Sequence, residues 1–123
     1  MKKQLTTILV AFALLLTSCA LVPSNDSPIN GTWKLSTVGG FPLSYISMLS
    51  DTIVISKATT FSETGVYSNG TQATIPGTVT SKGSNVYSLA YIDGSHRWDY
   101  ELATDGTTLS SGRDNVLVWV FKK

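Results

Sequence analysis

The chain has 123 residues, the length of one small domain. Hydrophobic residues form 42% of it and charged residues 14%, a balance that excludes an intrinsically disordered protein. The formal net charge of +1 gives no basic surface on which to collect phosphate groups, so the composition argues against a nucleic-acid-binding protein.

The first 18 residues have the three-part organisation of a secretory signal peptide. Lys2 and Lys3 form a positively charged start, residues 8–16 form an uninterrupted apolar run, and Thr17 and Ser18 are the small residues that a signal peptidase requires. A membrane-spanning helix is the alternative, but it needs roughly twenty apolar residues, about twice this run. We therefore expect this segment to be a signal peptide.

The next residue is the single cysteine of the chain. Leu16-Thr17-Ser18-Cys19 resembles the lipobox of bacterial lipoproteins. The resemblance implies that a diacylglyceryl group is attached to Cys19, and a multiply acylated cysteine anchors a protein stably in a membrane. Ala20 stands where the family's inner-membrane retention signal has aspartate, which favours the outer membrane. Without an anchor, a lone cysteine in a secreted chain indicates an exposed thiol or an intermolecular disulfide.

Residues 19–30 are expected to form a tether between this anchor and the folded domain. The stretch LVPSNDSPIN at positions 21–30 contains two prolines, two serines and an aspartate, a composition typical of a linker.

From Gly31 onward the hydrophobic pattern has a period of two, which predicts half-buried strands. The predicted strands are rich in β-branched and aromatic residues, and they cover residues 32–36, 51–56, 58–64, 77–81, 85–92, 97–102, 107–111 and 116–121. Turn residues such as Asp93-Gly94 and Asp105-Gly106 separate them at short intervals, which excludes parallel crossovers. The sequence therefore predicts an all-β fold, an antiparallel up-and-down meander of about eight strands that closes into a small barrel or folds into a β-sandwich.

Residues 41–49 interrupt this pattern. Leu43, Ile46 and Leu49 are spaced three apart after Pro42, which fits one or two turns of helix or an irregular apolar loop. In either form the segment is expected to cover one end of the barrel.

Several short motifs in this domain resemble those of small lipocalin-like domains. Gly31-Thr32-Trp33 is similar to the Gly-x-Trp signature of lipocalins, and the pattern continues through GTWKLSTVGGFPL, Gly65-Val66-Tyr67, Gly77-Thr78-Val79 and the final Val120-Phe121-Lys122. The resemblance implies that residues 31–123 form a barrel closed at one end, where Trp33 packs beneath Arg113. Trp98-Asp99-Tyr100 is the nearest match to the family's Thr-Asp-Tyr motif. Eight-stranded barrels of this size can hold one small ligand.

Residues that would indicate catalysis are few. His96 follows a predicted turn and has no nucleophile or metal ligand placed by spacing. Asp99 and Glu101 share one strand face, where a solvent-side charge row explains them better than an acid-base pair. No zinc, calcium, phosphate or nucleophile-elbow motif is present. We expect neither an enzyme nor a cofactor, and an envelope hydrolase would need one of these three residues in a cleft.

Aromatic residues are numerous for so short a domain, and core packing accounts for most of them. A sharper hypothesis is a cup for a small hydrophobic or lipid-derived ligand, with residues 41–49 as its lid. The expected cup residues are Tyr45, Leu49, Tyr91, Trp98, Tyr100 and Leu102. The alternative is a protein-interaction or inhibitor lipoprotein whose barrel is a solid scaffold. The sequence thus predicts a binding lipoprotein, attached to the membrane through Cys19.

Overall fold

The computed structural model describes residues 27–113 and 117–123. Antiparallel strands follow one another around a closed barrel, and the last pairs with the first. In chain order the elements are β1 (Gly31–Val38), a 3₁₀ helix (Leu43–Ile46), β2 (Met48–Ser56), β3 (Thr60–Tyr67), β4 (Gln72–Gly83), β5 (Val86–Tyr91), β6 (Arg97–Leu102), β7 (Thr108–Ser111) and β8 (Trp119–Lys122).

The predicted antiparallel meander of eight strands is confirmed, and the pairing of β1 with β8 selects a lipocalin-like barrel over a sandwich. Short turns make this topology feasible. The Asp93 and Asp105 carboxylates each accept a hydrogen bond from the backbone N–H two residues on, and Gly94 and Gly106 adopt the left-handed conformation that these turns require.

Two strands differ from their predicted extents. β4 covers twelve residues, far more than the predicted 77–81, because it pairs with β3 along Gln72–Thr78 and with β5 along Gly77–Gly83. β8 is shorter than predicted and begins at Trp119. Val118 belongs to the predicted strand 116–121 but is 51% exposed and precedes β8, and its backbone carbonyl accepts a hydrogen bond from Gly39 N–H. Residue 116 lies outside the described residues.

One end of the barrel, which we call the base, is where β1 begins and β8 ends. The fully buried Trp33 donates its indole N–H to the Ile29 carbonyl at 2.8 Å. Lys123 donates to the Pro28 carbonyl at 2.9 Å, and its Nζ lies 5.0 Å from the centroid of the Trp33 ring. The buried Ile29 therefore belongs to the core, although the sequence placed it in the tether.

The opposite end, which we call the mouth, is where β1 ends and β8 begins. Of the two forms expected for residues 41–49, the structure shows a single turn of 3₁₀ helix, ended by Ser47 in the left-handed conformation. Leu43 and Ile46 pack partly against the core. Phe41 stacks on Tyr45 with ring centroids 4.6 Å apart, and both side chains are exposed.

Side chains from every strand fill the barrel between base and mouth. The buried hydrophobic residues are Ile29, Trp33, Leu35, Val38, Met48, Ile53, Ile55, Phe61, Val79, Leu89, Tyr91, Tyr100, Leu102, Leu109 and Phe121. Gly77 lets β4 approach this core closely, because a side chain there would collide with the Phe61 ring and the Ala90 carbonyl.

Candidate binding site at the mouth of the barrel

Two carboxyl groups lie inside the barrel just below the mouth. Asp51 begins the inward row of β2 that continues with Ile53 and Ile55, and Glu63 is two residues after the buried Phe61 on β3. Antiparallel pairing sets Ile53 opposite Glu63 and Asp51 opposite Gly65, so Asp51 and Glu63 are diagonal neighbours on adjacent strands. Both are buried, although charged side chains are rarely placed in a barrel interior without a partner.

Arg113 supplies that partner from the turn after β7. Its guanidinium donates to Glu63 Oε2 at 2.7 Å and more weakly to Asp51 Oδ2 at 3.5 Å. It also donates to the Tyr91 hydroxyl oxygen at 3.2 Å, and Tyr91 donates in turn to Glu63 Oε1 at 2.8 Å. The Arg113 side chain is only 9% exposed, so this is a buried, charge-assisted network.

Two indole rings complete the surroundings of the guanidinium. Arg113 Cζ lies 4.2 Å from the centroid of the Trp98 ring and 4.3 Å from that of Trp119. His96 stacks on Trp98 at 4.8 Å, and Tyr91 meets the same ring edge-on. The cation–π contacts of Arg113 with the two indole rings contribute about 2 kcal/mol each when the cation is desolvated. We call the residues around Arg113 the mouth cage; they are Asp51, Glu63, Tyr91, Trp98 and Trp119.

The two carboxyl groups have opposite protonation states at neutral pH, because Glu63 has the closer contact with Arg113. Burial, together with the hydrogen bond and charge of Glu63, raises the pKa of Asp51 from its ordinary 3.8 to about 8. Burial also opposes ionisation of Glu63, but its interactions with Asp51 and Arg113 outweigh this and lower its pKa. At neutral pH the cage therefore holds a protonated Asp51, an ionised Glu63 and a cationic Arg113, with no net charge.

A small cavity of about 90 Å³ adjoins this cluster. Its wall includes Asp51, Glu63, Tyr91, Arg113 and Trp119. Larger clefts of about 360 and 620 Å³ lie open along the seam between β6 and β7. The walls of both clefts include Gly112, which is close in sequence to residues 114–116, and those residues lie outside the described structure. We therefore assign no site to these clefts.

The structure corrects the partner expected for Trp33. Arg113 follows β7 at the mouth, whereas Trp33 lies at the base, so the two cannot pack together in an up-and-down barrel. Lys123, at the end of the chain, provides the cation over Trp33 instead. The sequence therefore predicted a cation over the Trp33 ring correctly but named the wrong residue as its source.

The six residues expected to line a ligand cup occupy three different environments. Tyr45 and Leu49 are 63% and 65% exposed on the rim. Tyr91 and Trp98 contact Arg113 in the mouth cage. Tyr100 and Leu102 are packed in the core. They therefore do not surround a common cavity.

The residues considered for catalysis are exposed, and Asp99 and Glu101 also belong to the walls of the open clefts beside β6. Asp99 is exposed and paired with Lys82 at 2.9 Å, and Glu101 is exposed on the same strand, as the predicted solvent-side charge row requires. His96 is exposed and stacks on Trp98. Among residues 27–113 and 117–123, no group of three or more histidine, cysteine or acidic residues could hold a metal ion.

The sequence reasoning missed Asp51 and Glu63. The available signal was their position in the alternating pattern, since each shares a strand face with buried apolar residues two positions away. The predicted strand 51–56 begins at Asp51, and a charged residue at the first position of a strand does not indicate a buried site.

Cys19 and the whole predicted signal peptide lie outside the described residues. In the part of the chain that the structure describes, no helix is long and apolar enough to span a membrane. No protein-family model and no curated protein matches this chain.

Proposed function

We propose that this protein is a lipoprotein of the bacterial cell envelope, anchored through Cys19, whose barrel binds a protein partner through the rim of its mouth. The anchor is supported by the signal-peptide pattern and the sequence Leu16-Thr17-Ser18-Cys19. The observation that carries the binding mode is an exposed, uncharged aromatic rim above a mouth that is already filled.

The filled interior argues against a carrier of hydrophobic or lipid-derived molecules. Pockets for drug-sized ligands have volumes of about 300 Å³ or more. The cavity at the mouth measures about 90 Å³, and acidic groups and a guanidinium form part of its wall. A lipid chain would have to displace both packed core residues and buried charges, and the second displacement alone costs several kcal/mol.

The rim offers the contact surface instead. It comprises Phe41, Tyr45, Leu49 and Tyr67, which are 48%, 63%, 65% and 43% exposed. Met48, beside Leu49, pairs with Tyr67 across β2 and β3, and the Ser47 carbonyl accepts from Ser68 N–H, so the backbone that carries Tyr67 lies next to the backbone that carries Leu49. Residues 39–50 contain no charged side chain. Clustered exposed aromatic residues are typical of protein-binding surfaces.

The position of the proposed anchor supports a partner outside the membrane. The described chain enters the barrel at the base, where Pro28 and Ile29 contact Lys123 and Trp33. An anchor at Cys19 would therefore join the barrel at the end opposite the rim. We infer a partner in the adjoining aqueous compartment, and a role in binding or inhibition without catalysis.

The anchor is tested by fractionation of cells that express the full chain. We expect the wild-type protein in the membrane fraction and the Cys19→Ala variant in the soluble fraction, because a multiply acylated cysteine supplies the stable attachment. Cys19→Ala protein that stayed in the membrane fraction would refute the lipid anchor.

The rim is tested by site-specific photo-cross-linking in the same cells. A benzophenone side chain at position 49 is compared with one at position 54, because Leu49 and Val54 are both exposed on β2 but only Leu49 is at the mouth. We expect an adduct of one reproducible mass from position 49 alone, and its loss on Tyr45→Ser. Equal adducts from both positions would contradict the proposal, and an adduct of twice the chain mass would assign the rim to self-association.

A further inference from the structure

Arg113 is held in the mouth cage in the way that a protein holds a bound ligand. Its guanidinium donates to Glu63 and Tyr91 and lies over the rings of Trp98 and Trp119. Each contact uses a property specific to guanidinium, since the planar group stacks on aromatic faces while its fork of N–H donors reaches acceptors at its edge. The cage is thus complementary to a planar organic cation.

The cage also has binding capacity that Arg113 does not use. Asp51 Oδ1 is buried and accepts no hydrogen bond from the described residues. Asp51 is 3% exposed, and it belongs to the wall of the 90 Å³ cavity beside the guanidinium. Buried polar atoms without a hydrogen-bond partner are rare in native proteins.

Arg113 is attached outside the strands of the barrel. It lies two positions after Ser111, the last residue of β7. Removal of its side chain from the cage breaks none of the strand pairings between the described residues of β6, β7 and β8, since these pairings use residues up to Ser111 and from Trp119 onward. The carboxyl groups, by contrast, belong to β2 and β3 and stay in place.

We propose that the mouth cage is a binding site for an external guanidinium group, and that Arg113 is an internal occupant which that group displaces. The inference stands on the cage geometry and is independent of the proposed rim function. The same chemistry is available from a free guanidino compound and from an arginine side chain of a polypeptide. An internal occupant weakens the apparent affinity of the external group, because only the fraction of molecules in which the site is empty can bind that group.

Isothermal titration of the folded domain with methylguanidinium chloride tests this inference. Three forms are compared: the wild type, Arg113→Lys, which keeps the charge but loses the planar group, and Arg113→Ala, which empties the cage. We expect apparent affinity to increase in that order, with at least a tenfold difference between wild type and Arg113→Ala. Urea, which has a similar shape but no charge, is expected not to bind.

Matched variants separate the cage from general charge effects. Glu63→Gln, combined with Arg113→Lys, removes the carboxylate that holds the cation and should abolish the gain in affinity. Asp99→Asn removes an exposed carboxylate paired with Lys82 and should leave the affinity unchanged. Far-ultraviolet circular dichroism verifies the fold of each variant, and if Arg113→Ala does not fold, the comparison of Arg113→Lys with wild type decides the question.

A second titration identifies the source of the guanidinium. The probe is a capped tripeptide with a central arginine between two leucines. Tighter binding than methylguanidinium supports a polypeptide arginine, and equal or weaker binding supports a free guanidino compound. The proposal is overturned if methylguanidinium shows no saturable binding to any folded variant, if the affinity does not depend on residue 113, or if urea binds equally well.

Discussion

Arg113 makes the interior of the mouth electrically neutral. Its charge offsets the ionised Glu63, while Asp51 keeps a proton because a second buried carboxylate beside Glu63 would have no counter-charge. Removing one member of a buried ion pair costs about 3 to 5 kcal/mol, because the remaining charge stays desolvated. At the scale of single residues, the mouth is therefore one interdependent electrostatic unit.

The shifted pKa of Asp51 predicts an unusual dependence of stability on pH. Between its ordinary pKa of 3.8 and about 8, the unfolded Asp51 carboxyl is ionised while the folded one keeps its proton. The folded state binds more protons in this window, so the Asp51 contribution to the free energy of unfolding falls as pH rises. Glu63, with its lowered pKa, acts in the opposite direction, losing stability as pH falls through its folded pKa.

We expect Asp51→Asn to remove this decrease in the free energy of unfolding with rising pH, because asparagine keeps the shape of aspartate and has no proton to lose. Urea unfolding at about pH 4.5 and about pH 7.5 should show that the wild type loses on the order of 4 kcal/mol more than the variant over this range. Asp99→Asn, at an exposed site, is the control and should follow the wild type. Parallel curves for wild type and Asp51→Asn would show that Asp51 is ionised in the folded protein.

At the scale of elements, the segment before β1 is part of the barrel. Residues 28–30 cover the base through Ile29, which is fully buried, and through the Asn30 side chain, which accepts from Ala58 N–H at 2.6 Å. The proline-rich composition predicted a tether up to Asn30 because local polarity does not reveal that one apolar side chain finds a place in a distant core.

The contribution of this segment can be measured with one substitution at two sites. Ile29→Ala should lower the free energy of unfolding by about 2 to 4 kcal/mol, because it leaves a cavity beside Trp33. Ile92→Ala, at a side chain that is 73% exposed, should change it by no more than about 0.5 kcal/mol. If both substitutions changed the free energy of unfolding by a similarly small amount, Ile29 would not be part of the core.

At the scale of the whole molecule, the barrel has one weak seam. β2 and β3 pair continuously from Ser50 opposite Val66 to Ser56 opposite Thr60, whereas among the described residues β6 and β7 pair only at Glu101 with Ser110 and at Leu102 with Leu109. Sheet opening begins where the fewest ladder bonds must break. The mouth cage bridges this seam, since Trp98 belongs to β6 and Arg113 follows β7.

Amide hydrogen exchange is expected to report this difference. The paired amides of β7 should exchange faster than those in the middle of β3, by at least an order of magnitude for a difference of about 1.4 kcal/mol in opening free energy. Arg113→Lys should accelerate exchange in β7 and leave the middle of β3 unchanged. Uniform protection of both strands would show that the barrel opens as a single unit.

The sequence by itself determined the parts of this protein that depend on local pattern. Alternating apolar residues and short glycine turns predicted the eight-stranded meander, because strand faces and tight turns are fixed by neighbouring residues. The outward charge row of Asp99 and Glu101 follows from the same rule. For residues 41–49 the sequence left a helical turn and an irregular loop open, and the structure selected the 3₁₀ helix Leu43–Ile46.

Tertiary structure alone decided which distant side chains meet. The barrel put Arg113 over Trp98 at the mouth and Lys123 over Trp33 at the base, reversing the sequence prediction. It also brought Asp51 and Glu63 together, residues whose spacing carries no motif. Barrel closure and register determine these contacts, and both emerge only when all eight strands have paired.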